Sequence, residues 1–148
     1  MKSNSNYDLV LATKENIGQI IEYKLNNIFE YAKNIDEIEK NKINNYVIND
    51  INEEFESFKM ILVDEIIVGT VGIVSHDKGV MIDEIFIEEE YRCKGIGTSI
   101  INDIINDNSF IDLWVYIDNV KAIKLYKRLG FEVLEETESR YYMVKKMI

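Results

Sequence analysis

The chain contains 148 residues, of which 47% are hydrophobic and 30% are charged, so it fits one globular domain and is not a disordered polypeptide. Its 17 basic and 27 acidic residues give a formal charge of −10, which argues against nucleic acid as a partner because phosphates require Lys and Arg. No apolar run is long enough to span a membrane, and the single cysteine excludes a disulfide framework. Because residues 1–8 show no secretory signal, we expect a cytoplasmic protein.

Apolar periodicity predicts the secondary structure of the first half of the chain. Residues 7–13 form a predicted strand, and two amphipathic helices follow, one from Lys14 and one after Asn34. The pattern then changes to apolar runs separated by turn residues. These runs predict an antiparallel meander of three strands over residues 58–63, 66–75 and 80–88.

The second half of the chain alternates between helices and strands. Helical spacing returns after Gly95, a continuous apolar strand covers residues 110–117, and a last helix covers residues 119–129. Residues 131–134 and 141–147 are predicted to pair as a closing hairpin. The order βααβββαβαββ predicts an α/β fold of the α+β type, in which one mixed sheet carries helices on its faces and one domain spans the chain.

The most informative segment lies between a predicted strand and the next predicted helix. It reads Arg92, Cys93, Lys94, Gly95, Ile96 and Gly97. Two glycines let the backbone turn tightly, and the first turn of a helix leaves unpaired N–H groups that favour an anion. The segment therefore predicts a cradle for phosphate groups, although a glycine-rich turn without a ligand has the same pattern.

A second segment, residues 119–131, follows the next predicted strand. Asn119 is placed to cap the helix, and Tyr126 lies on the same helical stripe as Ala122 and Leu129. From this spacing alone, Tyr126 is a core residue with its hydroxyl at the edge of the core.

Together, the two segments resemble the motifs of one superfamily. Arg92-x-x-Gly95-x-Gly97 resembles the signature of the GNAT superfamily of acyl-CoA N-acyltransferases. The second segment of this chain resembles the second motif of that superfamily and reads Asn119-x-x-Ala122-x-x-Leu125-Tyr126-x-x-x-Gly130-Phe131. The resemblance implies a mixed, mostly antiparallel sheet of about seven strands flanked by four helices, with two central strands that splay apart. It also implies transfer of an acetyl group from acetyl-CoA to a primary amine.

The resemblance assigns a role to each residue of these motifs. The backbone of Ile85, Phe86 and Ile87 would pair with the pantetheine arm of acetyl-CoA, which Asn119 would also meet. Tyr126 would be the general acid that protonates the departing thiolate. The pyrophosphate would be held by the backbone N–H groups of Arg92, Cys93, Lys94, Gly95, Ile96, Gly97 and Thr98. The thiol of Cys93 would take no part in the reaction.

The sequence does not single out one residue as the general base. Glu84 and Asp83 lie on the strand before the glycine segment. Because successive strand side chains point to opposite faces, only one of the two is expected to face the acceptor. We favour Glu84 as the base, while Asp83 orients the substrate or faces a helix. Trp114 stands where some members of the superfamily carry a glutamate, so a water-mediated route without a dedicated base stays open.

The acceptor is predicted from charge and position. Residues 36–57 carry seven acidic and two basic residues, which favours a cationic acceptor such as a polyamine, an aminoglycoside or a basic peptide terminus. The alternative is that these charges only form a solvated helix face. Tyr142 and its neighbour Tyr141 either line the acceptor pocket or fill a face of the sheet. His76, the only histidine, is expected at the surface.

Three further expectations concern ligands and assembly. Acetyl-CoA is the expected co-substrate, and no metal is implied. An edge strand near the C-terminus predicts pairing of two copies as a homodimer. The alternative function is a non-catalytic module that senses an acyl-CoA on the same fold. The presence of Tyr126 argues against this alternative, because a sensor needs no general acid.

Overall fold

The computed structural model describes residues 6–147. Its strands are β1 (Asp8–Leu11), β2 (Phe58–Val63), β3 (Ile66–Ser75), β4 (Val80–Ile87), β5 (Phe110–Tyr116), β6 (Glu132–Glu136) and β7 (Arg140–Lys146). Its α-helices are α1 (Ile17–Tyr31), α2 (Glu37–Glu54), α3 (Ile96–Asp107) and α4 (Val120–Arg128). The predicted order of elements and the α/β fold class are confirmed. The expectation of no secretory signal concerns residues 1–8, of which the first five lie outside the described residues.

Local chemistry explains where several elements begin and end. α2 begins after Asp36, whose side chain accepts a hydrogen bond from the backbone N of Glu39 at 2.8 Å. α1 begins later than predicted because Lys14–Asn16 form a 3-10 turn before it. Gly130, with a positive φ of 101°, follows α4 and supplies the left-handed conformation that ends a helix.

One sheet contains the seven strands in the order β1-β2-β3-β4-β5-β7-β6. Neighbouring strands are antiparallel except for β4 and β5, so the predicted mixed, mostly antiparallel sheet is confirmed. The edge strand β6 is exposed along its whole length, and the predicted homodimer through this edge stays a prediction. Between residues 6 and 147, no helix is long and apolar enough to cross a membrane.

Helices cover the two faces of the sheet and divide the core into two clusters. α3 and α4 cover one face, where Ile100, Leu113 and Tyr126 belong to a single buried cluster. α1 and α2 cover the other face, where Ile20 and Phe58 belong to a second cluster. Because the second pair of helices packs over β2, β3 and β4, the same face of β5 and β7 is left partly open.

Gly69 of β3 lies where a side chain has no room. A Cβ atom at this position would lie 2.2 Å from the carbonyl oxygen of Phe86 and 3.0 Å from the Cα atom of Ile87. We therefore expect Gly69→Ala to displace β4 and to lower the free energy of unfolding by about 1–3 kcal/mol, measured by urea denaturation.

The matched control for this prediction is Gly18→Ala in α1. A Cβ atom there meets nothing within 4 Å, and alanine stabilises a helix relative to glycine by about 0.5–1 kcal/mol. If both variants lose the same stability, close packing of β3 against β4 is not the cause.

Candidate active site

The parallel pairing of β4 with β5 is short. Its register runs from Val80–Ile111 to Ile82–Leu113 and goes no further among the described residues. Beyond this point β4 remains paired with β3 as far as Ile87, while β5 remains paired with β7. The two central strands therefore splay apart, as predicted. One edge of β4 is left without a strand partner, and its backbone groups need another hydrogen-bond partner when water is excluded.

A β-bulge in β4 interrupts the alternation of its side chains. Gly72 pairs with Glu84, and the next residue, Ile73, pairs with Ile82. Asp83 is therefore an extra residue without a partner in β3, which is the definition of a bulge.

The bulge directs both carboxylates toward α1. Asp83 Oδ2 accepts a hydrogen bond from Lys24 Nζ at 3.3 Å, and Glu84 Oε1 accepts one from Asn27 Nδ2 at 2.7 Å. The expectation that strand alternation places Asp83 and Glu84 on opposite faces is therefore wrong at these two positions, because alternation fails at a bulge.

The glycine segment forms the turn between β4 and α3, as predicted. Cys93 and Gly95 have positive φ angles of 62° and 85°, so the backbone passes twice through the left-handed region. The Nε atom of Arg92 donates a hydrogen bond to the carbonyl oxygen of Ile87 at 2.6 Å. This bond ties the turn to the end of β4.

Gly95 is also the N-cap of α3. Its carbonyl oxygen accepts a hydrogen bond from Ser99 N at 3.0 Å. The N–H groups of Ile96, Gly97 and Thr98 precede this bond and have no partner within the helix, as in the first turn of any helix. The helix dipole adds partial positive charge at the same place, so this turn fits an anionic phosphate group.

A cavity of about 1650 Å³ opens between the splayed strands, and we call it the inter-strand cavity. Its volume exceeds the roughly 300–1,000 Å³ of most single-ligand sites, so it has room for two substrates at once. The predicted site residues that line it are Asp83, Glu84, Ile85, Phe86, Ile87, Arg92, Cys93, Gly97, Asn119 and Tyr126. The predicted residues outside its lining are Lys94, Gly95, Ile96, Thr98 and Tyr142.

Tyr126 and Asn119 bring α4 to the same cavity. Tyr126 is 6% exposed and packs against Phe131, with 5.6 Å between ring centroids. Burial and the nearby Glu84 raise the pKa of the Tyr126 phenol, so it stays protonated at neutral pH. Asn119 caps α4 as predicted, since its side-chain oxygen accepts a hydrogen bond from Ala122 N at 3.3 Å.

Glu84 has the most perturbed carboxyl of the cavity. It is 6% exposed, and burial raises its pKa to about 8. Lys24 and the hydrogen bond from Asn27 act in the opposite direction without cancelling this effect. At neutral pH Glu84 is therefore mostly a neutral carboxylic acid that is poised to ionise just above neutrality.

Few of the acidic residues of α2 contribute to the cavity. Of the seven between residues 36 and 57, only Glu39 is among the lining residues. Burial lowers the pKa of Lys24, but Asp83, Glu84 and Asp50 outweigh this effect and raise it overall. The acidic side chains at the cavity therefore come from several elements, among them Glu30 of α1, Asp83 of β4 and Asp118 after β5, while the acidic residues of α2 form a mostly solvated face.

Tyr142 lies behind the cavity wall rather than on it. Its ring packs on Trp114 with 5.0 Å between centroids, and its hydroxyl donates a hydrogen bond to Asp112. Burial and the Asp112 carboxylate raise the pKa of Tyr142 to about 12. Its neighbour Tyr141 packs on the α3 side of the sheet. His76 is in a turn, but its Nε2 atom lies 3.0 Å from Asp112 Oδ1, so it is held against the sheet.

Several cavity residues carry no local sequence signal. Lys24 and Asn27 come from α1, Tyr116 from the end of β5 and Arg140 from the start of β7. The fold brings them to one cavity from distant parts of the chain. Only an amphipathic pattern or a strand pattern marks these segments in the sequence, so the motifs could not have identified them.

Glu84→Gln tests the burial of this carboxyl through stability. The folded-state pKa of Glu84 is about 8, above the ordinary value of 4.5. The folded state therefore holds the proton of Glu84 more tightly than the unfolded state does. The stability that this proton provides is complete below the pKa of the unfolded state and is lost as the pH rises through the pKa of the folded state. We expect Glu84→Gln to become more stable relative to the wild type as pH rises from about 5 to about 8, by up to about 1.4 kcal/mol per pH unit.

The measurement is urea denaturation across this pH range. Glu37→Gln, which removes an 86% exposed carboxylate of α2, is the control and should run parallel to the wild type. A stability difference for Glu84→Gln that does not change with pH would mean that Glu84 is not desolvated.

Comparison with known proteins identifies the family. Residues 23–131 match the model of the Acetyltransferase (GNAT) family. An uncharacterised N-acetyltransferase of Methanocaldococcus jannaschii is 41% identical over 71 residues, which are 45% of this chain and 31% of that protein. N-alpha-acetyltransferase 50 of Danio rerio is 35% identical over 109 residues, which are 67% of this chain and 64% of that protein. The chain spans less than two thirds of the length of these curated relatives.

Two solved structures share the fold over nearly the whole chain. PaiA N-acetyltransferase of Thermoplasma acidophilum, in complex with coenzyme A, has a TM-score of 0.76 and 18% identity over 96% of this chain and 99% of that chain. Arabidopsis thaliana Naa50, in complex with the bisubstrate analogue CoA-Ac-MVNAL, has a TM-score of 0.66 and 23% identity over 97% of this chain and 100% of that chain. Because the family model matches residues 23–131, more than half of its length, the chain belongs to the Acetyltransferase (GNAT) family.

Proposed function

We propose that this chain is an N-acetyltransferase that moves an acetyl group directly from acetyl-CoA to a primary amine. The observation that carries the proposal is the splay of β4 and β5, because it opens one cavity onto the glycine turn, Tyr126 and Glu84. The names of the curated relatives support the same reaction.

Acetyl-CoA would supply the activated acyl group as a thioester. The unpaired edge of β4 at Ile85, Phe86 and Ile87 suits the amides of an extended pantetheine arm. The N–H groups at the start of α3 suit its pyrophosphate, with Asn119 beside the arm. The Thermoplasma acidophilum neighbour, which was solved with coenzyme A, supports this assignment.

Tyr126 would protonate the departing thiolate. At the reference pKa values of about 10 for a phenol and about 8.5 for a thiol, this proton transfer is uphill by roughly 2 kcal/mol. Burial raises the pKa of Tyr126 further, but a thiolate formed in the same buried place is destabilised for the same reason. The phenol therefore remains a competent acid if it is held in line with the sulfur.

Glu84 would accept the proton of the amine. A primary amine enters the cavity mostly as an ammonium, and a positive charge beside Glu84 favours the ionised carboxylate. With a pKa of about 8, Glu84 is close to the amine in basicity and is therefore suited to take its proton. Asp83, which Lys24 pairs at 3.3 Å, would help to orient the acceptor.

The acceptor is a cationic primary amine of a small molecule or a peptide. The Danio rerio relative, named N-alpha-acetyltransferase 50, favours the α-amine of a peptide. The bisubstrate analogue bound to the Arabidopsis thaliana neighbour favours the same class. The acidic face of α2 adds little support for a polycation, because most of it points away from the inter-strand cavity.

Tyr126→Phe tests the role of the general acid. It removes one hydroxyl and keeps the buried ring, so we expect kcat to fall about 100-fold while the affinity for acetyl-CoA changes little. The measurement is coenzyme A release across a panel of polyamines, aminoglycosides, amino acids and short peptides, together with calorimetric titration of acetyl-CoA. Tyr141→Phe removes the hydroxyl of a tyrosine outside the lining of the inter-strand cavity, so it is the control and should keep full activity.

Two outcomes would contradict the proposal. Unchanged turnover in Tyr126→Phe would remove this residue from the reaction. Binding of acetyl-CoA without turnover of any amine would instead indicate the non-catalytic acyl-CoA sensor.

The pH dependence of kcat/KM tests Glu84. Because the base must be ionised, we expect kcat/KM to rise with pH and to level off above about pH 8, the pKa of Glu84. Two acceptors whose amines differ in pKa separate the protein's ionisation from that of the substrate. In Glu84→Gln, the rise of kcat/KM with pH that both acceptors share should disappear. The rate should also fall about 100-fold. A shared limb that persists in Glu84→Gln would favour the water-mediated route.

A further inference from the structure

Arg140, at the start of β7, lines the inter-strand cavity. Its guanidinium lies over the ring of Trp114, with 5.1 Å from Cζ to the centroid, and both residues line the cavity. Arg140 also pairs across the sheet with Tyr116. Burial raises the pKa of Tyr116, while the positive charge of Arg140 opposes this effect. Arg140 is therefore close enough to act on groups inside the cavity.

A chain of contacts holds Trp114 in place beneath Arg140. The ring of Tyr142 packs on Trp114, and its hydroxyl donates to Asp112, which is 5% exposed. His76 lies on the other oxygen of that carboxylate at 3.0 Å. A buried carboxylate with two such partners is firmly anchored. The resulting stack holds the guanidinium of Arg140 against the cavity wall, where both Arg140 and Trp114 remain exposed to solvent.

The charge of Arg140 is not neutralised by the protein. Among residues 6–147, no carboxylate lies within ion-pair distance of its guanidinium, whereas three of the four other cations of the cavity wall, all but Lys121, are paired. The paired cations are Lys24 with Asp83 at 3.3 Å, Lys33 with Asp118 at 3.2 Å, and Arg92 with Glu30 at 4.0 Å. In a chain with a formal charge of −10, an oriented guanidinium without an acidic partner suggests that its anion comes from the ligand.

We propose that Arg140, stacked on Trp114, binds a carboxylate of the acceptor. This inference rests on the proposed function, since it concerns the acceptor of that reaction. The acceptor is then a primary amine that also carries a carboxylate, with its amine toward Glu84 and its carboxylate toward Arg140. A guanidinium offers a planar pair of donors that matches the two oxygens of a carboxylate, and its contact with the indole ring keeps it at the cavity wall. Free amino acids and acidic peptides are the two sources of this chemistry.

Trp114 makes the proposal testable without turnover, because it is the only tryptophan of the chain. The protein, loaded with coenzyme A, is titrated with two matched pairs of amines while its tryptophan fluorescence is recorded. The first pair is Ala-Glu-Ala amide and Ala-Gln-Ala amide. The second pair is free glutamine and glutaminamide. We expect the carboxylate member of at least one pair to bind about tenfold or more tightly than its amide.

Variants of Arg140 identify the group that recognises the carboxylate. Arg140→Gln should abolish the preference, and Arg140→Lys should restore part of it, because lysine keeps the charge without the planar fork. Lys33→Gln removes another cation of the cavity wall, one that is paired with Asp118, and should leave the preference intact. The affinity for acetyl-CoA should stay unchanged in all three variants.

Each other result overturns the proposal. Arg140 is excluded as the carboxylate site if both members of each pair bind equally or if none of the four amines changes the fluorescence. It is also excluded if the preference survives in Arg140→Gln. A loss of acetyl-CoA affinity in Arg140→Gln would assign this residue to the other substrate. The pair that shows the preference identifies the source of the carboxylate.

Coenzyme A release with the same four amines separates this proposal from the proposed function. A binding preference without any release would refute the acetyltransferase reaction and leave carboxylate recognition standing. Equal release with the acid and the amide would refute recognition and leave the reaction standing.

Discussion

The end of pairing between β4 and β5 after Ile82 is the constraint on which the site depends. A central strand normally has two partners, and β4 keeps only β3 along its second half. Close packing of β3 compensates for the missing partner of β4, because the glycines of β3 let this strand approach β4 and the ring of Phe58 in β2. A Cβ atom at Gly72 would lie 2.6 Å from the ring of Phe58, and one at Gly69 would meet the backbone of β4. β4 is thus fixed on one edge and open on the other, which suits the extended pantetheine arm that we propose for it.

The same geometry explains the chemistry of Glu84. The bulge at Asp83 turns Glu84 toward α1, where Asn27 bonds one oxygen and the core excludes water. Burial of an ionisable carboxyl costs stability above its ordinary pKa, and no stability argument favours a glutamate over an apolar residue there. A pKa of about 8 is, however, the value that a base for an amine requires. Under the proposed role of Glu84 as the base, this position gives up stability for reactivity, as catalytic groups commonly do.

Most of the fold and part of the site could be predicted from the sequence, because local residue patterns encode them. Helical and strand periods located the elements, and the two motifs located the glycine turn, Asn119 and Tyr126. The bulge was not predictable, because one extra residue at Asp83 leaves no mark on an apolar strand. The register of β5 against β7 places Trp114 over Tyr142 and Tyr116 beside Arg140, and this register arises from pairing between distant segments. Tyr142 could therefore be predicted from the sequence as a residue of the pocket wall. That Trp114 covers it could not be predicted.

Net charge is a poor guide to the ligands of this protein, because its charges are separated in space. The acidic residues of α2 lie mostly in solvent, where salt screens them beyond about 10 Å. Arg92 is already engaged by Glu30 and the Ile87 carbonyl. The N–H groups and dipole of α3 belong to the backbone, so the anion site expected at the glycine turn does not require a positive net charge of the chain. In the proposed function, backbone dipoles would let a chain of formal charge −10 accept the polyanionic coenzyme A at one end of its cavity. At the other end the guanidinium of Arg140 and the buried acid of Glu84 are the groups that we propose to select the amine.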